Sequence, residues 1–299
     1  MKRKLIIAIY FVFNICFLFS QNNLKKDSII INWDFDGNDF SLDKKLNILD
    51  NGYKIVSYTH GLLPRFRSEG SSLTNFERVS VVHTFTKDDN NAIQYTLGPQ
   101  KEGDLKARSE HYLFVADFGK TYISEFSLKL HPNFTPILLK RADGGAAWCC
   151  LRQWHQSSPE SPPMALNLKE GSNNVIVTEF QYGTHKHGKI KRFTSTEKVL
   201  IPDKWYHFRY EWRIVPGSIN SYCKVWVSEN KLSKIPDPSE LWCNYLGQIG
   251  YTLEGKPESE MEPLSQKIRE QQGLYQNSDF DPKAFHAVIY DNVKIYLKQ

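Results

Sequence analysis

The sequence predicts an all-β protein, a two-sheet sandwich of the jelly-roll kind with few short helices. Three observations carry this. Runs of alternating apolar and polar residues recur along the chain, the period-two signature of half-buried strands. Long helical periodicity is scarce. Pro and Gly clusters at Pro132, Pro159 to Pro163, Pro216-Gly217 and Pro236 to Pro238 separate the runs, as turn chemistry requires.

Each run justifies its strand. Segment 122–130 puts Phe126, Leu128 and Leu130 on one face. Segment 151–156, LRQWHQ, puts Gln153 and His155 on one face and Trp154 on the other, toward the core. Segments 175–182, 205–214 and 222–227 follow, and 287–297 closes the chain as a final strand. Only 258–272 reads as a candidate helix. No internal repeat, low-complexity tract or linker divides the chain, so one domain from residue 21 to 299 is expected.

The first twenty residues stand apart. Lys2, Arg3 and Lys4 precede an apolar run from Leu5 to Phe19, broken only by Asn14, after which the chain turns polar. This is the pattern of a secretory signal peptide, residues 1–20, and the run is short of the roughly 20 residues a membrane span needs. An exported, secreted or periplasmic protein with no span after cleavage is expected. Losing the three basic residues lowers the formal charge from +5 to +2. Charge that small, with no nucleic-acid motif, argues against a nucleic-acid partner. Any pull on an anion must come from local clusters.

Export permits disulfides. Cys149 and Cys150 are adjacent and point to opposite faces of a strand, which disfavours a bond between them. Cys223–Cys243 and free, buried thiols remain open alternatives, because a domain this large needs no staples.

Aromatic residues make up 13% of the chain, with seven Trp, which suits a β-rich core or a sugar-binding cleft. Three polar constellations could carry chemistry. In Arg108-Ser109-Glu110 the Arg and Glu share a face, which by itself describes a surface ion pair of little worth. In Gln153-Trp154-His155 the polar pair shares a face. In Gly273-Leu274-Tyr275 the Gly permits close backbone approach and Tyr275 lies on the same face two residues on.

Together, in this order on a β-rich chain, these motifs resemble the jelly-roll polysaccharide lyases. That concanavalin-like group holds alginate lyases, glucuronan lyases and the heparin-lyase-I type. Segments 290–295 and 204–206 are also similar to the group's late strands. One stretch departs. Alginate lyases carry an aromatic pair and a lysine ahead of Gly-x-Tyr, where this chain has Arg269-Glu270-Gln271-Gln272. The departure weakens alginate as substrate, and Gln-Trp-His looks closer to the glucuronan and heparin-type branch.

The resemblance implies β-elimination on a uronate-containing anionic polysaccharide, leaving a C4–C5 unsaturated end. The carboxylate beside C5 must be neutralised before H5 can leave, and electrostatic stabilisation of this kind often contributes most to catalysis. Arg108 offers a bidentate fork, Gln153 its amide, and Glu110 would hold Arg108. A phenol has an unperturbed pKa of about 10, so Tyr275 needs cations beside it, with Arg108 and His155 as candidates. Where H5 and O4 lie on the same side, as in glucuronate or mannuronate, Tyr275 serves as base and then acid. Where they lie on opposite sides, as in iduronate or guluronate, His155 is the better base and Tyr275 the acid.

The basic run 184–192, with His185, His187, Lys189, Lys191 and Arg192, reads either as a solvated loop or as an anion-binding rim. His185 and His187 lack a clear third metal ligand. The acidic run 34–39 is a turn before it is a Ca²⁺ loop. No cofactor is required, a structural Ca²⁺ is the one metal left open, and a monomer is expected. The alternative to a lyase is a non-catalytic carbohydrate-binding sandwich, since fold does not fix function. A glycoside hydrolase would need two facing carboxylates, and no Glu-x-Asp-x-x-Glu pattern occurs.

Overall fold

The computed structural model describes residues 28–33, 41–42, 48–50, 53–54, 66–69, 79–83, 91–97, 107–134, 148–156, 161–169, 174–184, 190–253, 263, 265–276 and 286–298. The leader at 1–20, the acidic run 34–39, and His185, His187 and Lys189 lie outside them. Two antiparallel sheets face each other, with a small three-stranded sheet besides. One sheet runs in the spatial order 241–246, 222–228, 205–213, 121–130, 286–297, 91–97, 79–83. The other, called here the site sheet, runs 191–194, 175–184, 164–168, 149–155, 267–276, 107–117, 66–69. This is the two-sheet jelly-roll sandwich expected. Among the described residues the only helical element is the 3₁₀ turn Pro238–Glu240, and no helix is long and apolar enough to cross a membrane.

The two sheets bury their faces differently. Strand Trp205–Arg213 alternates strictly, with Tyr206, Phe208, Tyr210 and Trp212 buried and the residues between them half-exposed. One face meets the core and the other meets water, as in an ordinary antiparallel sheet. Strands Ala107–Asp117, Cys149–His155 and Lys267–Gln276 are instead buried on both faces almost throughout.

Between the sheets, Trp154 packs with Tyr210 at 4.8 Å and with Trp212 at 6.3 Å between ring centroids. Phe126 stacks on Phe208 at 5.0 Å. Leu128, Leu151, Met164, Leu166, Phe180, Leu274 and Tyr290 fill the same core.

That core also holds charge. A bulge shifts the register between Cys150 and Arg152 against both neighbouring strands. Leu151 and Arg152 therefore both face inward, and Arg152 is fully buried. Its Nε donates to Glu270 Oε1 at 2.7 Å and its Nη1 to Gln272 Oε1 at 2.9 Å. Ser124 Oγ of the opposite sheet donates to Glu270 Oε2 at 2.9 Å and accepts from Trp212 Nε1 at 3.0 Å. Gln272 Nε2 donates to the Tyr95 hydroxyl at 3.1 Å, and that hydroxyl lies 2.8 Å from His111 Nδ1.

Segment 258–272 departs from the helix expected of it. Strand Lys267–Gln276 lies at the centre of the site sheet, while 254–262 and 264 are not described. Its core-facing positions are Ile268, Glu270, Gln272, Leu274 and Gln276, three of them polar. No apolar alternation marks such a strand, because Arg152 and His286 meet its polar side chains inside the core. Arg152→Leu alone should destabilise the protein by about 3–5 kcal/mol, since it strands a buried carboxylate. Arg152→Leu with Glu270→Leu should recover most of that loss, as read from urea unfolding midpoints.

Candidate active site

Register fixes which side chains share the outer face of the site sheet. Arg108 pairs with Tyr275, Glu110 with Gly273, and Tyr112 with Gln271. On the other side of the same central strand, Cys150 pairs with Tyr275, Gln153 with Gln271, and His155 with Arg269. Arg108, Glu110, Gln153, His155 and Tyr275 thus lie on one face of three adjacent strands.

Gly273 permits the closest of these approaches. Its φ is +136°, and a Cβ there would sit 2.2 Å from the Ser109 carbonyl oxygen and 2.7 Å from Glu110 Cα. No other residue fits.

The polar groups form a connected set. Arg108 Nε lies 3.2 Å from Glu110 Oε2. Gln153 Nε2 donates to Glu110 Oε1 at 2.5 Å. The Arg108 guanidinium stands 3.8 Å over the Tyr275 ring, and Trp148 meets that ring edge-on at 4.5 Å. Arg108, Glu110, Gln153 and Tyr275 are 8%, 1%, 1% and 9% exposed, so the ion pair is buried rather than the surface pair its sequence describes. Burying charge and amide groups on an outer sheet face is costly unless they are held by partners, and here they hold one another.

Two of the sequence expectations change in this geometry. The Gln153 amide, expected to face substrate, faces Glu110 instead. The orientation leaves its Oε1 turned away, buried and without a hydrogen-bond partner among the described residues. His155 and Tyr275 are also not brought together. His155 is opposite Arg269, six residues from Tyr275 along the central strand, or about 20 Å at roughly 3.3 Å per residue. Shared facing in the sequence says nothing about that separation, which depends on the register of two strands remote in the chain.

The basic rim divides. Arg192 pairs with Gln181 and shares the outer face, whereas Lys191 pairs with Tyr182 and faces the other way. Both are exposed. They occupy the edge strand, three strands away from the one that carries Gln153.

Residues that the sequence motifs do not mark join the outer face. Gln271 is 1% exposed, and neither its Oε1 nor the buried Asn167 Oδ1 has a hydrogen-bond partner among the described residues. Glu179, paired with Ala165 beside Gln153, accepts from Gln181 Nε2, and the Tyr251 hydroxyl donates to Gln181 Oε1 at 2.7 Å. Strand Phe66–Glu69 pairs with strand Ala107–Asp117 at the edge of the sheet. The one sequence signal for Gln271 is its place two residues before Gly273.

Cys150 lies against Ala165 and Tyr275 on this face. Burial, and then Glu110, Cys149 and Glu179, push its thiol well up, with Arg108 opposing. Such a thiol stays protonated and is not a nucleophile. Burial likewise raises Cys149 and Cys223, and raises Cys243 to about 11. All four are free. Among the described residues no group of His, Cys, Asp and Glu gathers as a metal site.

No protein-family model matches the chain, and no curated protein does. Among solved structures it is similar to a GH131 β-glucanase catalytic domain from Podospora anserina. Identity is 14% over 78% of this chain and 85% of that one, with a TM-score of 0.47. It is also similar to an alginate lyase from Pseudomonas aeruginosa, at 11% identity, 73% and 85% coverage and a TM-score of 0.40. A third is LamAcat from Zobellia galactanivorans, at 9% identity, 90% and 97% coverage and a TM-score of 0.47. Polysaccharide lyases thus stand among its structural neighbours beside glycoside hydrolases.

Native protein at pH 8 should leave Cys149, Cys150, Cys223 and Cys243 unmodified by iodoacetamide, and denaturant should expose all four. Mass-spectrometric mapping of the alkylated peptides checks this, and a Cys223–Cys243 bond would appear as two residues protected in both states.

Proposed function

We propose that the protein is an exported polysaccharide lyase acting on uronate-containing chains by β-elimination, with Tyr275 moving the proton. The observation that carries this is the pairing of a cation with a phenol. Arg108 stands over Tyr275 while ion-paired to Glu110, which Gln153 also holds. Elimination beside a carboxylate needs one group to take up negative charge and one to move a proton. A guanidinium and a tyrosine side by side are that combination. Gln153 and Glu110 act on Arg108, keeping its guanidinium in place.

In the elimination, the Tyr275 phenolate oxygen takes H5. The C5–H electrons pass into the carboxylate beside Arg108 and then form the C4–C5 double bond as the C4–O4 bond breaks. The leaving O4 takes the proton back from Tyr275, so the enzyme returns to its starting state. The separation of His155 from Tyr275 supports the branch in which one residue is base and then acid. That branch suits sugars with H5 and O4 on the same side, as in glucuronate or mannuronate. His155 and Arg269 then lie along the path of the polymer, away from the scissile bond. The acceptors Gln153 Oε1, Gln271 Oε1 and Asn167 Oδ1 suit sugar hydroxyls.

Ultraviolet absorbance of the unsaturated uronate, followed over a panel of uronate polysaccharides, tests this. The band should rise on a glucuronate- or mannuronate-type polymer and slow by about 10²–10⁴-fold in Tyr275→Phe, the usual worth of a positioned acid–base group. His155→Ala should raise KM with little change in kcat. A band that survives in Tyr275→Phe removes that residue from the chemistry. New reducing ends without the band would mark a hydrolase. Polymer binding with neither would mark a non-catalytic carbohydrate-binding module.

A further inference from the structure

The outer face of the other sheet carries a cleft, lined by Glu125, Ser127, His207, Lys231, Asn292 and Lys294. Antiparallel pairing builds it. His207 lies opposite Ser127, Arg209 opposite Glu125, and Lys294 opposite Glu125 on the other side. A register shift between Asp291 and Lys294, with Asn292 at a φ of +51°, opens the strand there.

The carboxylates near this cleft are already engaged. Glu125 Oε1 accepts from Arg209 Nη1 at 2.9 Å, and Glu125 Oε2 from the Tyr296 hydroxyl at 3.2 Å. Asp291, opposite Ser127, accepts from the Asn292 backbone N–H at 2.6 Å and from Asn292 Nδ2 at 2.8 Å. The cations are not so engaged: among the described residues neither the Lys231 nor the Lys294 ammonium makes an ion pair or hydrogen bond. His207 Nδ1 shares a 2.8 Å hydrogen bond with Ser127 Oγ. Burial, and after it the Lys231 charge, lower the His207 pKa.

We infer that this cleft is an oxyanion site, in which Lys231 and Lys294 hold a sulfate or carboxylate beside His207. The oxyanion is either a free ion or a group carried on an anionic polysaccharide. In the second case the cleft is a surface contact for the polymer on the sheet opposite Tyr275. Two ammonium groups and an imidazole around one concavity supply what an oxyanion needs; Arg209 offsets Glu125, and the two lysines outweigh the one remaining carboxylate, Asp291, which Asn292 holds with neutral donors. The inference stands apart from the elimination chemistry, because none of these residues belongs to the site sheet.

The test titrates full-length protein with sodium sulfate at constant ionic strength, with chloride as the balancing anion, and follows the imidazole resonances of ¹³C-labelled histidine. His207→Asn assigns the His207 signal. A saturable His207 shift is expected, with affinity falling about tenfold for each of Lys231→Gln and Lys294→Gln, the worth of one charge-assisted contact. Lys294→Arg should retain binding, which separates loss of charge from loss of fold. A shift that chloride reproduces, or that the Lys231→Gln/Lys294→Gln double variant keeps, would overturn the site. Competition by a sulfated or uronate oligosaccharide, but not by a neutral one, would place the oxyanion on a polymer. Saturable sulfate binding that neither oligosaccharide displaces would make it a free-ion site. Both sustain the inference.

Discussion

The buried ion pair of Arg152 and Glu270 is the constraint around which the site sheet is organised. A carboxylate and a guanidinium lie between two sheets in a core otherwise filled by aromatic and aliphatic side chains. Such a pair persists only if its geometry is good and its remaining polar atoms are met. Arg152 meets Glu270 and Gln272. Glu270 meets Ser124 across the sandwich, Ser124 meets Trp212, and Gln272 meets Tyr95. The Arg152 guanidinium also lies 4.2 Å over the Phe126 ring. The network ties both sheets to one relative placement, since a slide of either would break several of these bonds at once.

What happens inside the core sets what is displayed outside it. The bulge that turns Arg152 inward lets Gln153 face outward next to Glu110. On the central strand, inward Glu270, Gln272 and Leu274 alternate with outward Gln271, Gly273 and Tyr275. Because a one-residue slip would exchange the two sets, the pairing of Arg152 with Glu270 and Gln272 also fixes which face Tyr275 occupies. Gly273 then lets strand Ala107–Asp117 approach closely enough for Arg108 to cover the Tyr275 ring. Core network, strand register and candidate active site are therefore one mechanical unit.

The other sheet divides its faces in the ordinary way, aromatic toward the core and charged toward solvent. This contrast explains how legible each part is in the sequence. Phe126, Leu128, Leu130 and the Trp205–Arg213 strand announce themselves by alternation, because one face meets water. Strand Lys267–Gln276 does not, because both its faces are buried and its inward face is largely polar. Arg108, Glu110, Gln153 and Tyr275 are visible as motifs. Gln271 has only its spacing from Gly273, and nothing in the local pattern of Asn167 or Glu179 separates a half-buried polar side chain from a solvated one.

By itself the sequence determined the all-β class, the course of the strands with clean alternation, the facing of Trp154 toward the core, and the residue types that could handle a carboxylate and a proton. These depend on neighbours a few residues apart, where side-chain direction follows from backbone period alone. Only the tertiary structure decided that Arg152 meets a carboxylate 118 residues away, that the Arg108–Glu110 pair is buried, that the Gln153 amide is held by Glu110, and that His155 stands far from Tyr275. Each of these rests on register between strands remote in the chain, and on bulges that shift it by a residue. No local pattern encodes either, because the partner that selects the register lies on another strand.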